Sequence, residues 1–473
     1  MGEPQAFGPI LVHRGLADGQ LRLAALFGRA ATSPAPAIQT DSGAGQLTEL
    51  ARIDDFIVSR IDFALPLTGA AERYVCDGRE SWVQTGFDGD VRIAFVACNG
   101  QEHDDFTRPE PLRNAMWHRL GAEHAATPFA LLLHGGDQIY ADEDVRVHPL
   151  TEGWPESLPR EVTADQMRDI ETALRRAFVR RYAQLYASDG FASICRQVPS
   201  LAMWDDHDIC DGWGSLERSR TRSAIGQGLF RVAREMFLLF QHAATDADVP
   251  ALFADREGVA LGWRRRFPGF EVLAPDLRSE RGRRQIMGAR GWALIDGLRR
   301  GPTEARVFMV SSVPLLGPRL SLLERVLMLV PSMQKYEDDL RDQWQSHAHR
   351  TEWRRMLSAC LEVLERSDLT VLSGEIHLAT RARMRGGARD LIQLVASGIA
   401  HKAPPQGYAR ALGWLAGLGE APLPAHPIRI EPLPGQSRRY VAERNYLVLT
   451  RRAQAWTAEW ELEDSGRTRP LPI

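Results

Sequence analysis

FALLLHGGDQIYAD, residues 129–142, runs an apolar stretch into two glycines and an acid. A short apolar run bounded by turn residues reads as a buried strand. The two glycines allow a sharp turn and leave the carboxylate of Asp137 projecting above the strand end. Upstream, a turn at residues 88–90 leads into VRIAFVAC, residues 91–98, a second such strand. Downstream, Ser200 to Trp204 forms a third and runs into Asp205-Asp206-His207. Helical stretches from Arg113 to Ala126 and from Thr163 to Ala187 separate the three. A helix from Thr351 to Arg366 then precedes a strand, Leu369 to Leu372, and the segment SGEIH. Alternating strands and helices predict an α/β fold with a parallel or mixed sheet. Ligands bind such sheets beyond the carboxyl ends of the strands.

Every one of these strand ends carries chemistry. Cys98 directly follows the first. Asp137 follows the second, with Tyr140 and Asp142 close behind. The third opens WDDHDICDGW, residues 204–213, where Asp205, Asp206, Asp208, Asp211 and His207 lie within seven residues. So much negative charge at a buried edge calls for a cation or arginines to neutralise it. After the fourth strand, Glu375 and His377 alternate and can face one pocket. Arg278, Arg281 and Arg381 are candidate anion clamps, and internal ion pairing is the competing reading for each.

The segments FVACNGQ, GGDQIYADED, WDDHDICDGWG, APDLRSER, YEDDLRDQW and LSGEIHLA resemble the PhoD-like alkaline phosphatases of the calcineurin-like metallophosphoesterase superfamily. The resemblance runs from about Val91 to about Val395. It implies a four-layer α-β-β-α sandwich with metals at the strand ends, and hydrolysis of phosphate esters. It also implies roles for single residues. Asp137 would bridge two metals, with Cys98, Tyr140 and His377 on an iron and Glu375 on a second, harder cation such as calcium (or manganese, magnesium or zinc). Either Asp206 or Asp211 would supply a further ligand to the second ion. His207 would be the general acid. Glu375 stands where the family has Asp, and Asp211 where relatives have Asn.

Composition narrows the partners. A chain of 473 residues with 44% hydrophobic and 25% charged residues is an ordinary globular protein. The net charge of -3 gives no general preference for nucleic acid; the resemblance implies a small phosphate ester or phosphodiester as the partner. No apolar run reaches membrane-spanning length, and MGEPQAFGPILVHRG lacks the features of a signal peptide; a cytoplasmic location is the expectation. Five scattered cysteines with no C-x-x-C pair fit a reducing compartment. Residues 1–88 read as a small β-rich module and 89–473 as the catalytic domain, with 315–350 as a lid-like insertion. The runs at 391–395, 446–450 and 456–462 read as strands of a second sheet. Residues 409–418 read as a short apolar helix packed on the core, with membrane or partner contact as the competing reading, and His401 and Lys402 lie just before it near the site. The competing functional reading is a metal-stabilised scaffold without catalysis. The complete set Asp137, Asp206, His207, Glu375 and His377 argues against it.

Overall fold

The computed structural model describes residues 3–159, 161–318 and 342–473. The strands expected around the site form where the apolar runs predict: Val91–Val96, Leu131–Gly135, Ser200–Met203 and Asp368–Ser373. The first three pair in parallel, with Leu132 opposite both Ala94 and Ser200. Their carboxyl ends therefore share one edge. The fourth belongs to a second sheet, parallel to Arg306–Ser311 and Leu391–Val395.

The two large sheets, of eleven and nine strands, make this a mixed α/β architecture. Tryptophans fasten one sheet to the other. Trp456, from the first, packs edge-on against Phe270 and Phe308 of the second at 5.4 and 4.8 Å. Trp460 donates to Val395 O (2.8 Å) and Trp263 to Ala202 O (2.7 Å). Burying such rings with their N–H groups satisfied gives area without an unpaired donor. On the second sheet, Trp353, Met356 and Leu357 of the helix Arg350–Leu364 join one apolar cluster with Val307, Leu369 and Val371.

Two expectations change. Residues 1–88 are β-rich, but the strands Phe7–Ala17, Gln20–Ala30, Gln46–Ile53 and Phe56–Pro66 extend the first large sheet, with Val12 paired to Ser200. Only the pieces within 38–44 and 71–84 form a separate four-stranded sheet. At the other end, Asn445–Arg452 and Ala455–Leu462 return to the first sheet, beside Val91–Val96. Asn445–Arg452 is buried along nearly its whole length, so it needs cover on both faces and an interior place supplies it. Residues 319–341 of the expected lid-like insertion, including most of YEDDLRDQW, lie outside the described residues.

His13 offers a stability test. Its ring packs against Phe267 (5.0 Å) and Phe87 (6.3 Å), and neither ring nitrogen has a hydrogen-bond partner. Burial, with help from Arg265 and Arg14, lowers its pKa to about 3. The unfolded chain takes this proton near 6.5, so stability is lost as pH falls below that value. His13→Phe removes the penalty. Its stability relative to the parent should be about 2 kcal/mol greater at about pH 5 than at about pH 7.5. Urea denaturation at the two pH values measures this; an equal difference at both would refute it.

Candidate metal centre

The loops after the strands are tied together by main-chain bonds. Cys98 N–H reaches Gly136 O (3.1 Å), Ala141 N–H reaches His207 O (3.0 Å), and Ile399 N–H reaches Ala97 O (3.1 Å). Close approach requires glycine at two places. A Cβ on Gly100 would overlap the Tyr140 ring, and one on Gly374 would collide with Ala97. Four of the ten non-glycine residues with positive φ among the described residues lie here: Cys98, Asp137, Glu375 and His377, at 55°, 55°, 66° and 51°. Left-handed backbone is uncommon for non-glycine residues, and such conformations cluster at functional sites.

Two ligand sets result, and Asp137 belongs to both. Ligand atoms of Cys98, Asp137 and His377 lie within 4.8 Å of one another, as do those of Asp137, Asp206 and His207. Cys98 Sγ sits 3.5 Å from Asp137 Oδ2 and 3.0 Å from Ser397 Oγ. Tyr140 Oη is 2.7 Å from His377 Nε2, which adds a phenol to the first set. Burial and then neighbouring negative charge push Cys98, Asp137 and Tyr140 well above their ordinary pKa values. Asp137 Oδ1 and Asp205 Oδ2 are buried without a hydrogen-bond partner. An orphaned buried carboxylate oxygen requires an explanation, and a cation supplies one. Thiol, phenol and imidazole suit iron or zinc, while the carboxylates suit a harder ion.

Other expected residues fall beside these sets. Asp206 accepts from Gly212 N–H (2.9 Å) and faces Arg278 at 3.2 Å. Asp211 is exposed, its N–H bonded to Asp142. Both carboxylate oxygens of Glu375 accept from Gln343 Nε2, at 2.7 and 2.9 Å, and Glu375 joins neither set. The three candidate clamps follow the competing reading and form internal pairs. Arg278 is fully buried and bonded to Asp205, Asp206 and Asp342. Arg281 is bonded to Asp342 and Arg381 to Glu431 and Pro432 O. Arg278 and Arg281 thus neutralise part of the carboxylate charge at this edge.

The local sequence gave little sign of three further contributors. Asp208 accepts from the N–H groups of Asp137 (3.0 Å), Gln138 (3.0 Å), Ile139 (3.2 Å) and Asp205 (2.9 Å), and from Gln241 Nε2 (2.9 Å). It locks the second loop to the third; burial raises its pKa to about 7 while the amides oppose that. Asp142 Oδ2 lies 2.8 Å from His207 Nδ1. Burial would lower the His207 pKa, but the charges of Asp142 and Asp206 outweigh it and hold the pKa well above the usual value. His401, noted only as a neighbour, stacks on Tyr140 (4.9 Å) and on His377 (3.8 Å).

Residues 112–337 match the family model of the PhoD related phosphatases. The whole chain also superposes on 89% of a solved structure of PhoD, with a TM-score of 0.59 at 11% identity. Over residues 112–337 the chain resembles the PhoD related phosphatases. The matched span contains Asp137, Tyr140, Asp206, His207 and Asp211; Cys98, Glu375 and His377 reach this PhoD-like edge from outside it. An uncharacterized protein of Saccharomyces cerevisiae (strain ATCC 204508 / S288c) is 21% identical over 406 residues, 71% of this chain. The chain spans 58% of that relative's length. Among the described residues no helix is long and apolar enough to cross a membrane.

Proposed function

We propose that this chain hydrolyses phosphate esters with two metal ions. The observation that carries the reading is Asp137, one carboxylate common to two ligand sets at the carboxyl edge of the sheet. Cys98, Tyr140 and His377 would complete an iron-type set, and Asp206 would hold a second, harder ion of the calcium, manganese or magnesium kind. When bound, the two ions would neutralise the ester's charge and make hydroxide available near neutral pH. The protein's own groups do the rest. Asp137 keeps one oxygen free of hydrogen bonds. Cys98 and Tyr140 must release protons on metal uptake, so affinity falls as pH falls. His207, held at Nδ1 by Asp142, keeps a proton for the departing alkoxide.

Metal analysis of protein purified without chelator, with turnover of p-nitrophenyl phosphate and bis-p-nitrophenyl phosphate, tests this reading. Two metals with turnover of either ester is the expected result, and the ratio of the two rates assigns monoester or diester preference. Absence of both metal and turnover after adding iron, calcium or manganese would leave a scaffold. Asp137→Asn should bind at most one metal; retention of both would refute the shared carboxylate.

A further inference from the structure

The segment from His401 to Leu418 contains Lys402 and Arg410 and no acid. Its helix, Gln406–Ala416, packs on the core as expected, through Ala409, Leu412 and Ala416, with Leu415 against them. Tyr408, Ala411 and Trp414, spaced by three, lie along the outer face. Leu418 follows in the turn beyond. Tyr408 is 51% exposed, Trp414 70% and Leu418 52%, and Trp414 is the most exposed large apolar side chain among the described residues. Two more cations flank the helix. Arg438 Nη1 donates to Gln406 Oε1 (2.9 Å) and Arg439 Nη1 to Gly413 O (3.1 Å). Arg410, Arg438 and Arg439 are exposed and form no ion pair among the described residues, whereas Lys402 is paired with Asp105 at 3.1 Å.

Charge decides what such a surface fits. A second copy docked face to face would bring like guanidinium groups together, because a two-fold contact pairs a patch with itself. An anionic bilayer complements the patch in charge and in its exposed aromatic side chains. Tryptophan and tyrosine favour the headgroup level. Each arginine near an anionic leaflet adds about fivefold to binding. We propose that this helix docks the protein on an anionic lipid bilayer, with Trp414 and Leu418 entering the headgroup region and Arg410, Arg438 and Arg439 meeting lipid phosphates. At 11 residues the helix lies on the surface and does not span it. It starts five residues after His401, whose ring packs in the metal centre, so docking places the centre beside the bilayer.

Co-sedimentation of the full chain with vesicles of phosphatidylcholine, with and without phosphatidylglycerol, tests the proposal. Binding should require phosphatidylglycerol and weaken with salt. Trp414→Ala, and separately the triple charge reversal Arg410→Glu, Arg438→Glu and Arg439→Glu, should each lower partition about tenfold or more. Turnover of p-nitrophenyl phosphate should not change. The fluorescence lost in Trp414→Phe should be open to acrylamide in the free protein and shielded on vesicles. The proposal is overturned by absence of binding to anionic vesicles, by binding indifferent to these substitutions, or by a Trp414 already shielded in solution. A concentration-dependent dimer dissolved by Trp414→Ala would overturn it in favour of self-association.

Discussion

Replacing His207 by alanine should lower turnover roughly a hundred- to ten-thousand-fold while leaving bound metal in place. The imidazole has little freedom: Asp142 holds Nδ1 at 2.8 Å, and the Tyr140 ring stacks against it at 4.1 Å. Asp142 itself is fixed by the Asp211 amide. With Nδ1 committed, Nε2 is the atom left to give a proton to a leaving oxygen. Asp142→Asn should keep that geometry and lose the charge that raises the His207 pKa. An acid works only while protonated, so activity is lost as pH rises through its pKa. Lowering that pKa moves the alkaline limb of the rate profile to lower pH. Pre-steady-state turnover and metal analysis of both variants check this together. Loss of metal from His207→Ala would make the imidazole a ligand, as its membership of the second set allows.

Arg278→Met should cost about 3–5 kcal/mol of stability, because breaking a buried ion pair leaves its partner charges uncompensated. The side chain is wholly buried, bonded to Asp205, to Asp206 at 3.2 Å, to Asp342 at 2.6 Å and to Trp213 O at 3.1 Å. Three carboxylates lose their common partner at once. Arg278→Lys should recover only part of the loss, since one ammonium cannot reproduce the planar fork. Urea denaturation of the metal-free proteins measures both. A loss below about 1 kcal/mol for Arg278→Met, the size of a surface pair, would mean that the carboxylates are neutralised in another way.

The comparison of sequence with structure divides along the range of the interaction. Apolar runs ending in Cys98, Asp137, Asp205 and Ser373 placed four strands correctly, because burial period and turn chemistry are local. The meeting of Asp137 with Asp206 and His207 follows once those strands are parallel. Arg278 illustrates what was illegible: its partners lie more than 60 positions away, and nothing near DLRSER distinguishes a phosphate clamp from an internal pair. Strand partners were hidden for the same reason. Leu391–Val395 and Asn445–Arg452 are similar apolar runs, yet they enter different sheets. Apolar composition placed residues 409–418 on the core, where Ala409, Leu412 and Ala416 do lie, but the outer face of that helix is visible only once its neighbours are in position.

The left-handed backbone of Cys98, Asp137, Glu375 and His377 bears on how this protein would respond to engineering. Each such residue costs of order 1–3 kcal/mol, a cost that glycine escapes. A library screened for heat resistance alone would therefore be drawn to these four positions. The fittest survivors would be tougher and inert. Stability and chemistry pull in opposite directions here, and a thermostabilisation campaign should begin by freezing these four codons and working on the solvent face.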